Sequence, residues 1–253
     1  MLAPTAPQNE ATVAGHILLV VEDGSDLANQ ILAARPALAG RLATHGLGDP
    51  EPDLKSARLL VFAIGRAAAV AHAESIRRLA RLAALHWTPV LNPPDALIRP
   101  LEAAAASGEG EVKRAFVLRG EVVNAELAAV FGDPDDWRGR LSNLLTVQAQ
   151  MLRDVLAADR AYFQAAPEAV SVIAAACRGQ GLDFACVDFV SRPDGSAEIV
   201  AARPFRGLED STFHMAARRR GTAFRAERVL SRFGEALEAA LERELGSPLS
   251  VAA

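Results

Sequence analysis

The sequence predicts an α/β fold, in which an N-terminal parallel α/β domain is followed by a C-terminal α+β domain with an antiparallel sheet. An apolar run at residues 59–65 that ends in glycine is typical of a buried parallel strand. Two short segments, residues 181–189 and 196–202, flank a Pro-Asp-Gly turn, as in a β-hairpin. We therefore expect three parts along the chain: a flexible N-terminus at residues 1–15, the parallel domain at 16–97 and the α+β domain at 98–253.

Composition indicates a globular protein with neither a nucleic-acid nor a membrane partner. The chain has 253 residues, 51% of them hydrophobic, which is enough for a substantial core, and its net charge of −4 argues against a nucleic-acid binder. The apolar runs are too short to cross a membrane, and residues 1–15 lack the features of a secretory signal, so we expect a cytoplasmic protein. Cys177 and Cys186 lack metal-site spacing and are expected to be small buried hydrophobes.

The first predicted strand, residues 16–21, leads into the acidic pair Glu22 and Asp23, as in a response-regulator receiver. A receiver also needs an aspartate at the end of its third strand, where this chain has Gly65, and a lysine that is absent here.

A helix is predicted at residues 27–34. Its positive end is expected to be capped by the acidic residues Glu22, Asp23 and Asp26.

A β-α-β unit extends to residue 94. Apolar residues recur at helical spacing over residues 71–85, and residues 89–94, Pro-Val-Leu-Asn-Pro-Pro, predict a strand that stops at the paired prolines. Residues 95–112 predict a helix and a flexible linker at 107–110. Residues 113–123 then predict a strand, a turn and a second strand that begins the antiparallel sheet.

The final hairpin carries the most informative side chains. Alternation places Phe184, Cys186 and Asp188 on one face of the strand, so that a carboxylate ends an otherwise apolar row. A carboxylate in such a place costs free energy unless another group pairs with it. Arg203, on the return strand, is the expected partner across the hairpin.

The C-terminal part combines a basic segment with an amphipathic helix. Residues 218–220 are three arginines, and Arg225 and Arg228 follow. This segment is most simply the solvated start of a helix, with an anion site as the alternative. Apolar residues that close the core or join a partner then recur at helical spacing: Leu230, Phe233, Leu237, Leu241 and Leu245.

These features resemble those of the ATP-grasp carboxylate–amine ligases over about three quarters of the chain. Residues 181–189, Gly-Leu-Asp-Phe-Ala-Cys-Val-Asp-Phe, resemble the family strand that supplies an acidic metal ligand, and residues 113–123 resemble the preceding hairpin. Residues 89–94 resemble the end of the pre-ATP-grasp domain in a bacterial group of these proteins. Residues 133–137 and a predicted helix at 141–158 resemble the family's Trp-containing turn and long helix.

The resemblance implies ATP and magnesium as cofactors and assigns roles to four residues. Asp188 would be the metal ligand, and Lys113 and Arg114 would bind the nucleotide phosphates. Arg203 would be the catalytic residue, at the acyl-phosphate or at the substrate carboxylate. Forming an acyl-phosphate from ATP requires such cations on the phosphoryl oxygens.

The chain also departs from the family pattern. The second strand of the family hairpin ends in a Glu-x-Asn pair, where this chain has Ala201 and Arg203. The stretch between Asn92 and Lys113 is too short for the small lobe that closes over the nucleotide in the family.

Two functions remain open at this point. The first is a degenerate ATP-grasp-like pseudoenzyme that acts without cofactors as a binding or accessory module in a peptide or small-molecule modification pathway. It would have a protein or peptide partner. The alternative is an active ATP-dependent carboxylate–amine ligase. An oligomer is compatible with both.

Overall fold

A computed structural model describes residues 16–99, 112–127, 167–192, 194–206 and 226–246 of the chain. Its helices and strands, in chain order, are β1 (His16–Val21), α1 (Leu27–Ala34), β2 (Leu42–Gly46), β3 (Ala57–Ala63), α2 (Arg66–Ala71), α3 (Ala73–Leu85), β4 (Val90–Leu91), α4 (Pro94–Ile98), β5 (Val112–Leu118), β6 (Glu121–Leu127), α5 (Pro167–Gln180), β7 (Phe184–Ser191), β8 (Ala197–Pro204) and α6 (Ala226–Gly246). The predicted fold class is confirmed, since a parallel α/β unit precedes an antiparallel sheet.

The first sheet has the strand order β2-β1-β3-β4, with every strand parallel to its neighbours. Its central strands β1 and β3 are almost entirely buried, as expected for strands covered on both faces. The helix predicted at residues 71–85 is present as α3, and a short helix that was not predicted, α2, precedes it, with His72 between the two. The His72 amide donates to the carbonyl of Ala68 in α2, while the His72 carbonyl accepts from the amide of Ile76 in α3.

The second sheet has the order β6-β5-β7-β8 and is antiparallel throughout. Both predicted hairpins are present, and each contains a glycine with positive φ at its turn, Gly120 at +82° and Gly195 at +83°. Glycine adopts this conformation without the steric cost that a Cβ would impose. The hairpin turns therefore follow directly from the sequence.

Helix α6 packs against strands of both sheets, β1 and β3 of the first and β5 and β6 of the second. Phe233 lies with its ring centroid 4.7 Å from that of Phe184 and 4.8 Å from that of Phe205. On its other side the helix packs against α1, where Arg35 donates to Glu238 at 2.7 Å. The predicted amphipathic helix thus closes the core of this chain.

The predicted capping of α1 is wrong. Among the three acidic candidates, Glu22 accepts from the Gly65 amide at 2.7 Å, and Asp23 accepts from the Gly48 amide at 3.2 Å. Asp26 makes no side-chain cap bond, and the hydroxyl of Ser25 instead accepts from the Leu27 amide at 3.3 Å. The loops that follow β2 and β3 approach this end of β1, so Glu22 and Asp23 accept hydrogen bonds from amides outside their own segment.

Both cysteines are buried, as expected, Cys177 in α5 and Cys186 in β7. Burial raises the pKa of the Cys177 thiol to about 12.

Since only the thiolate attacks a disulfide reagent, we expect the native protein to be inert to Ellman's reagent and to release thionitrobenzoate only after unfolding. Rapid labelling of the native protein at either thiol would contradict this prediction.

None of the described helices is long and apolar enough to cross a membrane. Several predicted features lie outside the described residues: the flexible N-terminus at 1–15, the linker at 107–110, the turn at 133–137, the helix at 141–158, the arginines at 218–220 and Arg225.

Candidate functional site

Three charged side chains meet on one face of the second sheet. Arg114 on β5 lies directly opposite Asp188 on β7, while Arg203 on β8 lies opposite Cys186, one step diagonally from Asp188. Residues paired across antiparallel strands, and their diagonal neighbours, project from the same face. The charged cluster of Arg114, Asp188 and Arg203 therefore continues the apolar row that Phe184 and Cys186 begin.

Both oxygens of the Asp188 carboxylate are held by guanidinium groups. Arg114 donates from Nε to Oδ1 at 2.8 Å and from Nη2 to Oδ2 at 3.1 Å, which is the bidentate geometry of a strong charge-assisted pair. Arg203 donates from Nη2 to Oδ2 at 2.5 Å. The predicted cross-hairpin pair of Asp188 and Arg203 is thus confirmed, and Arg114 is an additional partner.

The charged cluster is removed from solvent. The side chains of Arg114, Asp188 and Arg203 retain only 7%, 12% and 11% of their exposure. Desolvating a charge costs roughly several kcal/mol unless opposite charges and hydrogen bonds compensate for it. Here the hydrogen bonds between the carboxylate and the two guanidinium groups provide that compensation. The carboxylate therefore anchors two strands, β5 and β8, to the strand between them.

Lys113 does not belong to this cluster. It pairs in register with Phe189, and because successive residues of a strand face opposite sides, its side chain leaves the sheet on the other face from Arg114. There its Nζ lies 2.9 Å from the hydroxyl of Ser191. The structure brings together three of the four sequence-predicted site residues, and it separates Lys113 from them.

The charged cluster does not fit a magnesium ion. Magnesium requires oxygen ligands in near-octahedral geometry, yet both oxygens of Asp188 already accept from arginines. Within the described ranges, no group of three or more His, Cys, Asp and Glu side chains could hold a metal. A divalent cation would also meet two guanidinium groups of like charge, so we derive no phosphoryl-transfer step at this site.

Asn92 is a second polar centre, which sequence reasoning missed. It is fully buried, and its Nδ2 donates to the carbonyls of Phe62 at 3.3 Å and Phe184 at 3.0 Å. Its Oδ1 accepts from the amides of Asp183 at 2.8 Å and Phe184 at 3.0 Å. One side chain therefore connects β3 of the first sheet to the start of β7 in the second.

A weak signal for Asn92 was present in the sequence. The residue stands between a strand and two prolines, and its φ is +53°, a conformation that asparagine tolerates better than most residues. Its backbone amide also donates to the carboxylate of Asp183 at 2.9 Å. Nothing in the local pattern could identify Asp183 and Phe184 as its partners.

The carboxyl ends of β1 and β3 form a further polar edge. In the order β2-β1-β3-β4 the chain leaves these two strands in opposite directions, and open α/β sheets commonly bind ligands at such a point. Here Glu22 is held by the Gly65 amide, and Arg206, just beyond β8, places Nη1 3.8 Å from Glu22. The second sheet therefore approaches the first where a ligand crevice is expected.

Comparisons with known proteins agree with this architecture. Neither a family model nor a curated protein matches the chain. Among solved structures, the ATP-grasp ligase PsnB complexed with a minimal precursor, Mg and ADP is 12% identical, with a TM-score of 0.50, over 92% of this chain and 99% of that chain. PsnB complexed with the minimal precursor alone also has 12% identity and a TM-score of 0.50, over 89% and 99% of the two chains.

A third match is D-cycloserine synthetase DcsG, with 13% identity and a TM-score of 0.49, over 88% of this chain and 100% of that chain. At such identities the similarity to PsnB establishes the fold alone. The chain has an ATP-grasp-like fold, as the sequence resemblance implies.

Proposed function

We propose that this chain is a degenerate ATP-grasp-like protein that acts as a non-catalytic binding or accessory module in a peptide or small-molecule modification pathway. One observation carries the proposal: the carboxylate at the expected metal position is bound through both oxygens by Arg114 and Arg203. These contacts would have to be broken before a cation could bind Asp188.

Electrostatics supports this proposal over an active ligase. Phosphoryl transfer from ATP relies on metal ions that neutralise the developing charge. In this chain arginine replaces the asparagine of the family's Glu-x-Asn pair, and alanine replaces the glutamate. Ala201 lies directly opposite Asp188, so the glutamate of the pattern would stand beside the carboxylate that the arginines now hold.

The proposed partner is a protein or peptide. The solved structures of PsnB contain a precursor peptide, which makes peptide binding the natural activity to test in a chain of this fold. A module without catalysis would present the peptide to a separate active enzyme.

Calorimetric titration of the purified chain with ATP, with and without magnesium, tests the proposal. We expect no magnesium-dependent heat at millimolar ATP, because both oxygens of Asp188 are held by arginines and no group of three or more His, Cys, Asp and Glu side chains among the described residues could hold a metal. Magnesium-dependent ATP binding by the wild-type protein, with slow ADP release on addition of a peptide, would instead establish the active ligase.

A restored site makes the test sharper. In the double variant Ala201→Glu with Arg203→Asn, Asp188 gains a second carboxylate and an amide oxygen, and it loses one guanidinium. We expect this variant to bind Mn²⁺, used as a probe for Mg²⁺, at least about tenfold more tightly than the wild-type protein, as seen by paramagnetic resonance.

Arg192→Asn is the matched control for the restored site. Arg192 lies on the same hairpin but pairs with Glu198, at 3.2 Å, and not with Asp188. Its replacement should leave Mn²⁺ binding unchanged. Tight Mn²⁺ binding by the wild-type protein would contradict the proposal, and circular dichroism of each variant verifies that it folds.

A further inference from the structure

Trp87 is an exposed aromatic residue in a strained backbone conformation. Its side chain lies just after α3 and is 89% exposed, and its φ is +54°. The Trp87 amide donates to Ala84 at 3.1 Å, and the Thr88 amide donates to Ala83 at 2.8 Å, so Trp87 occupies the left-handed position that ends a helix. Glycine is the usual residue at this position, because a Cβ is unfavourable there.

The fold gives no reason for tryptophan at this position. Among the described residues, the two other non-glycine residues with positive φ have structural explanations: Asn92 connects the sheets, and Arg119 forms the β5–β6 turn with Gly120. Trp87 instead directs a large apolar ring into solvent. Strained positions and exposed aromatics both concentrate where proteins bind other molecules.

Other side chains extend this surface. Leu85 is 75% exposed, and Arg81 lies one helical turn before it on the same side of α3. Arg58 follows Ala57, whose carbonyl accepts from the Thr88 hydroxyl at 3.1 Å, so the start of β3 lies next to the Trp87 turn. We call this surface the Trp87 patch, and it consists of Arg58, Arg81, Leu85 and Trp87.

The Trp87 patch has unneutralised positive charge. Two other arginines of α3 are already paired, Arg77 with Asp95 at 3.5 Å and Arg78 with Glu51 at 3.0 Å. Arg58 and Arg81 are exposed and have no ion pair within the part of the chain that the structure describes. An apolar centre with basic neighbours complements an acidic segment that contains apolar residues.

We propose that the Trp87 patch is a docking surface for an acidic, apolar peptide segment of a partner protein. A second copy of this chain in a two-fold dimer would bring arginine against arginine, which is electrostatically unfavourable. The patch lies at the amino end of β3, whereas the polar edge with Glu22, Gly65 and Arg206 lies at the carboxyl end of that strand. The charged cluster lies on the second sheet and shares no residue with the patch. The inference therefore stands independently of the function proposed for the charged cluster.

Calorimetry and tryptophan fluorescence with a synthetic peptide of alternating Glu-Glu and Leu-Leu pairs test this proposal. We expect the peptide to bind the full chain and to shift the tryptophan emission to shorter wavelength, since the Trp87 ring becomes buried. Binding should weaken with added salt, because exposed charges contribute to it. A peptide in which lysine replaces every glutamate should not bind.

Trp87→Gly separates docking from stability. Glycine suits the left-handed backbone, so the midpoint of thermal unfolding should be unchanged or higher, while peptide affinity should fall at least about tenfold. Arg81→Glu should also reduce affinity about tenfold by reversing one charge. Val70→Ala, at a half-exposed apolar residue of α2, should bind as the wild-type protein does.

Four results would overturn the proposal. Three of them concern binding: the glutamate peptide gives no binding heat in calorimetry, the lysine peptide binds equally well, or Trp87→Gly retains full affinity. The fourth is sedimentation of the wild-type chain as a dimer that Trp87→Gly dissociates, because the patch would then be a contact between copies.

Discussion

Replacing Asp188 by asparagine is expected to lower the free energy of unfolding by about 3–5 kcal/mol, because it leaves two buried guanidinium groups without their shared counter-charge. The asparagine side chain retains the shape of aspartate but can present only one acceptor oxygen. Its amide hydrogens would face donors of Arg114 or Arg203, which now approach both oxygens of the carboxylate. The loss therefore combines a missing charge with an unfavourable contact between donors.

Urea denaturation followed by circular dichroism measures this effect, and Glu51→Gln is the matched control. Glu51 forms an ion pair of similar length with Arg78, at 3.0 Å, but both side chains are largely exposed. The same change from carboxylate to amide should therefore cost less than about 1 kcal/mol there. Equal, small losses in the two variants would show that burial adds little to the Asp188 pair.

The stability result also bears on function. If the carboxylate of Asp188 contributes several kcal/mol through its arginines, a magnesium ion must compete with those contacts to bind it. A catalytic aspartate is normally available to its metal, and its removal abolishes activity more than it destabilises the fold. A large stability loss would thus favour a structural role for Asp188 in this chain.

The pairing of Asp188 and Arg203 could be predicted because it depends on local features alone. A tight turn defines which residues of a hairpin face each other, and the two-residue period of a strand defines which side they share. The burial of β3 could be predicted for a similar reason, since its continuous apolar run indicates a strand covered on both faces.

The partners contributed by distant segments could not be predicted. Arg114 contacts Asp188 only because β5 pairs with β7 in one particular register, and no local pattern specifies the register of strands so far apart in the chain. The grouping of Lys113 with Arg114 rested on the family resemblance alone, and the alternation of side chains along β5 places the two on opposite faces of the sheet. Asn92 was missed because its partners belong to the other sheet.

Asn92→Gly is expected to lower the free energy of unfolding by about 3–4 kcal/mol. Glycine keeps the positive φ of this position, so the variant removes the side chain without straining the backbone. Four hydrogen bonds disappear, and each is worth roughly 1 kcal/mol with its buried partner left unsatisfied. Urea denaturation gives the value.

Arg119→Gly separates this side-chain effect from the backbone effect. Arg119 has nearly the same φ, +52°, but its side chain is exposed in the β5–β6 turn. Glycine at this position should change the free energy of unfolding by less than about 1 kcal/mol. If Asn92→Gly were equally mild, water would be replacing the lost bonds. A loss confined to Asn92→Gly would establish that one amide side chain holds β3 and β7 together, and with them the two sheets of the fold.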